Sequence, residues 1–191
     1  KTIQHMADQE QEHIQKFESL IHSFFSERCL DIKIADKKGN YKPDPKLRDF
    51  ERPLAKRGLD DAPVMAGRFM DRDSSVACII SSPANRAKTT AKIFATNIGY
   101  PVDEITSNPE LYFAGTGMFL KAASLVDDYY DSAMLVGHNP AITEFANMMA
   151  NVEIDNVPTC GLVEMNIPID SWSEVSTGVA TLVEFDYPKK K

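Results

Sequence analysis

Two short apolar runs limit what this chain can fold into. Val76–Ile80 reads VACII and Ala133–Val136 reads AMLV, with no polar side chain in either. A run of that length without alternation predicts a strand covered on both faces. The first ends in Ser81-Ser82-Pro83 and the second in Gly137, and each is followed by a segment of helical propensity, Ala84–Thr96 and Pro140–Asn151. The second of these segments carries its proline at the start, where a helix tolerates it.

The rest of the chain extends this pattern. A helix is expected over residues 54–71, interrupted or started afresh at Pro63, and another over Gly117–Tyr130. Leu162–Ile167 and Val179–Phe185 read as closing strands. Strands alternating with helices predict an α/β fold, a three-layer α/β/α sandwich on a mostly parallel sheet, over residues 30–191. Residues 1–29 read as an N-terminal amphipathic helix, because Ile3, Met6, Glu10, His13, Phe17, Leu20 and Phe24 recur in steps of three and four. Cys29–Ala35 alternates apolar and polar residues and reads as a strand, with a long loop after it.

Composition narrows the function. The chain has 191 residues and a net charge of -7, which argues against a general nucleic-acid binder. Three cysteines, far apart and odd in number, fit neither a disulfide framework nor a paired metal site. No apolar run approaches the roughly 20 residues that span a bilayer. No export leader is recognisable, so a cytoplasmic protein is the expectation. The charge is uneven. Lys33 to Arg57 holds nine Lys/Arg against four Asp/Glu, in a stretch rich in Pro, Gly and Asn, whereas Gly99 to Asn156 holds nine acids against the single base Lys121. A basic loop beside a site could hold an anion.

Two strand-to-helix junctions carry the residues suited to that task. At Ser81-Ser82-Pro83-Ala84-Asn85-Arg86 a strand ends in two hydroxyls, and the helix that follows has an arginine in its first turn. Helix starts offer free N–H groups, and an arginine offers a planar fork to an oxyanion. At Val136-Gly137-His138-Asn139-Pro140 a second strand ends in a glycine and a histidine. Ligands of open parallel sheets bind at that carboxyl edge. The same residues would serve equally as a helix cap, His138, and a surface ion pair, Arg86; spacing leaves both readings open.

From about Pro45 to Pro188 the chain resembles the histidine phosphatase superfamily, in its branch of SixA-like phosphohistidine phosphatases. The matching strings are Asp49-Phe50-Glu51-Arg52-Pro53-Leu54, Lys56-Arg57-Gly58, Asp61-Ala62-Pro63, Ser81-Ser82-Pro83-Ala84 with Arg86 and Thr90-Ala91, Glu110-Leu111-Tyr112, Val136-Gly137-His138-Asn139-Pro140, and Pro158-Thr159 with Gly161-Leu162. The resemblance implies a phosphoglycerate-mutase-like fold and a histidine nucleophile that forms a phosphohistidine intermediate. It implies two arginines and a second histidine around the phosphoryl group, and no metal or organic cofactor. Arg86 matches the second arginine and His138 the second histidine. Ser82 and the backbone N–H of Asn139 are further expected phosphate contacts, and Glu110 is the candidate general acid. The implied substrate is a phosphohistidine on a protein or a small phosphomonoester.

One part of the pattern is missing. The superfamily's Arg-His pair should end the first strand, and here Ile34 and Ala35 stand opposite it. The remaining histidines, His5, His13 and His22, all fall in the N-terminal helix. Lys33, Lys37 or Lys38 could supply positive charge in place of the missing arginine. Phosphate binding is therefore expected to survive better than turnover, and a catalytically silent phospho-ligand binding module is the alternative function. Separately, His5 to His13 is similar to a helix of the ferritin-like di-iron hydroxylase of ubiquinone biosynthesis, with Glu10 and His13 in Glu-x-x-His spacing. No second Glu-x-x-His occurs in the chain. A helix that packs on the domain or joins two copies is the simpler expectation.

Overall fold

The computed structural model describes residues 47–112 and 115–190. The expected N-terminal helix, the strand Cys29–Ala35, the boundary between residues 29 and 30, and the histidines and glutamate of the di-iron resemblance lie outside the described residues.

Five helices and strands build the first half: α1 (Lys56–Asp71), β1 (Cys78–Ser81), α2 (Asn85–Ile98), the two-residue β2 (Thr106–Ser107) and α3 (Thr116–Ser124). β3 (Ala133–Val136), α4 (Ala141–Ala150), β4 (Leu162–Asn166) and β5 (Thr181–Asp186) complete the domain. β1 lies between β2 and β3 and is parallel to both, with Ile80 opposite Leu135 and Ser81 opposite Val136. β4 and β5 form a separate antiparallel pair with a register shift between Glu164 and Met165.

Alternation along the parallel strands assigns the layers. Ile79 packs with Ala91 and Ala95 of α2, and Met134 joins the cluster of Met65, Ala66, Phe69 and Phe94 from α1 and α2. Their neighbours Ile80 and Leu135 point the other way, into Phe119 of α3 and Phe145 and Met149 of α4. The sheet is thus sandwiched between two helical layers, as expected. Every residue of β1 is buried. Every residue of β3 is only half-buried, contrary to the reading of AMLV as fully covered. Among the described residues β3 pairs on one side only, with β1.

Two helix expectations needed correction. Pro63 lies inside α1 and does not interrupt it. Its ring sits on the exposed face, where the carbonyl that loses its amide partner is free to meet water. The helix expected over Gly117–Tyr130 ends at Ser124, because Leu125, Asp127 and Asp128 turn outward to solvent. α2 stops at Gly99, whose positive φ of 75° suits a residue without a side chain. No helix among the described residues is long and apolar enough to cross a membrane.

Candidate active site

The parallel sheet delivers its two marked junctions to one place. His138 follows directly on β3 and Gly137, and Ser82 follows on β1. The pairing continues past the assigned strands, with the Ser82 N–H donating to the Val136 carbonyl at 2.8 Å. The Nε2 of His138 then lies 2.9 Å from the Oγ of the fully buried Ser82. Arg86, in the first turn of α2, lines the same cavity as His138, Gly137 and Asn139, a hollow of about 340 Å³. Arg86 is placed by the start of α2, and Ser82 and His138 by the ends of the neighbouring strands β1 and β3.

Gly137 has a different purpose from the one its position suggested. A Cβ there would stand 2.4 Å from the Cζ of Phe119. The close approach is therefore to the core beneath the site, and this contact sets how deep the His138 backbone lies.

Arg86 is not idle. Its Nη1 donates to the Asp49 backbone carbonyl at 2.8 Å and its Nη2 to the Asp49 carboxylate at 3.0 Å. The same carboxylate oxygen accepts from the Tyr112 hydroxyl at 3.0 Å, and Arg52 approaches the other oxygen at 3.6 Å. Tyr112 sets its ring edge-on to the His138 imidazole, with centroids 5.9 Å apart. Asp49 thus joins both arginines to the aromatic wall of the site.

The charges follow from these contacts. The Tyr112 hydroxyl and the Arg86 guanidinium, both donating to Asp49, hold its carboxyl below the usual carboxylate range against the opposing effect of burial. Burial lowers the pKa of His138, the Arg86 charge lowers it further, and Asp49 acts in the opposite sense. His138 is therefore a neutral imidazole near pH 7. Cys160, also on the cavity wall, has its thiol pushed up to about 11, chiefly by burial and then by Asp61. A thiol raised in this way is little ionised near pH 7.

Two further expected site residues have their side chains engaged by the protein itself. The Asn139 side chain turns towards the protein. Its amide donates to Asn156 and to the Val157 carbonyl, and its Oδ1 accepts from the N–H and hydroxyl of Thr143 in the first turn of α4. It ties the loop over residues 156–157 to the helix start and leaves only its backbone for a ligand. Glu110 is in an ion pair with Lys121 at 2.9 Å and does not line the cavity of His138. Asp49 and Tyr112 stood in the matching strings without a role. Their partners lie 37 and 63 residues away, and no local periodicity reports a contact of that range. Among the described residues His138 is the sole histidine, and no group of three or more His, Cys, Asp or Glu side chains is placed to hold a metal.

Comparison with known proteins agrees with the architecture. No family model matches the chain. The Uncharacterized protein Rv1276c of Mycobacterium tuberculosis (strain ATCC 25618 / H37Rv) is 27% identical over 153 residues, spanning 75% of this chain and 93% of its own length. The Uncharacterized protein ML1117 of Mycobacterium leprae (strain TN) is 24% identical over 152 residues, 75% of this chain and 91% of its own. Among solved structures, a proposed phosphohistidine phosphatase SixA from Agrobacterium tumefaciens superposes with a TM-score of 0.66 at 24% identity, covering 78% of this chain and 92% of that one. The protein histidine phosphatase SixA complexed with tungstate superposes with a TM-score of 0.64 at 18% identity, covering 78% and 93%. The chain therefore has the α/β, phosphoglycerate-mutase-like fold seen in the SixA phosphohistidine phosphatases.

Proposed function

We propose that the cavity of Arg86 and His138 is a phosphoryl site, and that the protein is a phosphatase of the SixA type acting on a phosphohistidine of a protein or on a small phosphomonoester. The observation that carries this reading is the convergence of one guanidinium and one neutral imidazole on a single hollow at the carboxyl edge of the parallel sheet. Two of the five N–H donors of Arg86 are taken by Asp49. An incoming phosphoryl group competes with the Asp49 carboxylate for this fork and gains charge-assisted hydrogen bonds. His138, oriented by Ser82 and walled by Tyr112, presents a neutral ring to the phosphoryl group. The solved SixA structure in complex with tungstate shows that a protein of this fold takes a phosphate-like oxyanion.

Phosphoryl binding without turnover is the second reading. It is favoured by the absence of an Arg-His pair before the Asp49 string and by the engagement of Arg86 with Asp49. Hydrolysis of an aryl phosphate, measured beside vanadate binding, separates the two. The phosphatase reading expects turnover that vanadate inhibits and that His138→Ala abolishes. The binding-module reading expects vanadate affinity that Arg86→Ala weakens, without turnover. Vanadate affinity indifferent to both substitutions would remove the phosphoryl site altogether.

A further inference from the structure

The Asp49 carboxylate marks a place where donors converge. One of its oxygens, Oδ2, accepts from Nη2 of Arg86 and from the Tyr112 hydroxyl, each at 3.0 Å. Two donors that meet on one anionic oxygen form an oxyanion position, whichever anion supplies the oxygen. The guanidinium comes from the first turn of α2 and the hydroxyl from the segment that follows β2. That segment is held in place. The Asn108 N–H donates to the Ser81 carbonyl at 2.9 Å and ties the end of β2 to the end of β1. The Asn108 side chain caps the short turn after it by accepting from the Glu110 N–H at 2.9 Å. Leu111, next to Tyr112, is fully buried in the core. The Tyr112 ring then meets Phe50 edge-on, with centroids 5.0 Å apart, and the His138 imidazole at 5.9 Å. These contacts fix the ring, while rotation about the C–O bond re-aims the proton without disturbing the packing. Desolvation first and the hydrogen bond to Asp49 second raise the pKa of the hydroxyl, so it keeps its proton and stays a donor near pH 7.

We propose that Tyr112 is a further phosphoryl-binding residue: its hydroxyl passes, together with Arg86, from the Asp49 carboxylate to an oxygen of the bound anion. The proposal rests on the phosphoryl reading of the His138 cavity. In the free protein Asp49 occupies both donors, and anion binding exchanges one oxyanion for another on the same pair. The exchange sets the sign of what removing the hydroxyl does. A hydroxyl that only props Asp49 favours the pair of Asp49 with Arg86, so its loss loosens that pair and eases anion binding. A hydroxyl that follows Arg86 onto the anion stabilises the bound state, so its loss weakens binding. The weakening is largest where no carboxylate has to be given up first, because the bond to the anion is then offset by no charge-assisted bond in the free protein.

The test is isothermal titration of vanadate into the full chain, into Tyr112→Phe, into Asp49→Asn and into the double variant, with Arg86→Ala beside them. Phenylalanine keeps the ring between Phe50 and His138 and removes only the hydroxyl. Tyr112→Phe is expected to weaken vanadate about threefold in the otherwise unchanged chain, where the lost bond to the anion is partly offset by the lost bond to Asp49, and about tenfold in the Asp49→Asn chain. Tighter binding in Tyr112→Phe alone overturns the proposal, and so does an Asp49→Asn chain whose affinity Tyr112→Phe leaves unchanged. With either result, affinity that Arg86→Ala weakens still upholds the phosphoryl site, so the two readings part there. Vanadate that fails to bind the unsubstituted chain, or that binds it and Arg86→Ala alike, removes the site and this proposal together.

Discussion

The imidazole Nε2 of His138 and the hydroxyl of Ser82 meet at 2.9 Å, joining the ends of two parallel strands that are 56 residues apart in sequence. The contact fixes one ring nitrogen of a histidine whose pKa is lowered by burial first and by Arg86 second. The His138 ring should therefore titrate below its ordinary value of 6.5, as followed by proton NMR of its ring resonances. Arg86→Ala should raise the midpoint, by removing a positive neighbour. Asp49→Asn should lower it, by removing the opposing negative one. Because the folded-state value is depressed, the unfolded chain binds the proton more readily. Stability should fall as pH drops from about 6.5 through the folded midpoint, with no contribution from this group above that window.

Asp49 both holds Arg86 and competes for it. In Asp49→Asn the carboxylate charge is gone while the amide can still accept from the guanidinium. Vanadate should bind more tightly by about fivefold, or roughly 1 kcal/mol for a partly exposed ion pair, and the gain should shrink with added salt. Isothermal titration at two ionic strengths reads this directly. Weaker binding in Asp49→Asn would mean that the carboxylate mainly positions the arginine.

Gly137 sits against the Phe119 ring, leaving 2.4 Å for any added Cβ. Gly137→Ala should destabilise the domain by about 1–3 kcal/mol through overpacking. Phe119→Leu in the same chain should recover part of the loss. Urea denaturation of the two variants measures both effects, and an undiminished midpoint for Gly137→Ala would contradict the packing described.

The antiparallel pair is anchored through one carboxylate. Asp186 is buried and accepts from Arg68 at 3.1 Å and from Arg72 at 3.3 Å, both on α1. Asp186→Ala would leave two half-buried guanidinium groups without this partner. A loss of about 2 kcal/mol is expected, below the cost of a fully buried pair because both arginine side chains are partly exposed. Urea denaturation gives the value.

The sequence was most legible where structure follows from local pattern. VACII and AMLV announced two strands, and both occupy the sheet. The start of α2 and the histidine after β3 could be placed at its carboxyl edge because strand ends and helix starts are written locally. AMLV overstated its own burial, for all four of its residues are half-buried. Pro63 misled because a proline on the wet side of a helix loses a hydrogen bond that water replaces. Asp49 and Tyr112 were hidden because their importance lies in contacts with Arg86 and His138 made only after folding. The tie between Asn139 and Thr143 is local, four residues long, yet its direction became visible only once the helix start was in place.

The central claim is that Arg86 and His138 share one phosphoryl-sized anion. A crystal structure of the protein with vanadate tests it most directly. The account expects the anion in the hollow at the end of β3, with Arg86 swung from Asp49 onto its oxygens and the His138 ring beside the metal centre. Vanadium density elsewhere, with Arg86 still on Asp49 and the hollow filled by water, would contradict it.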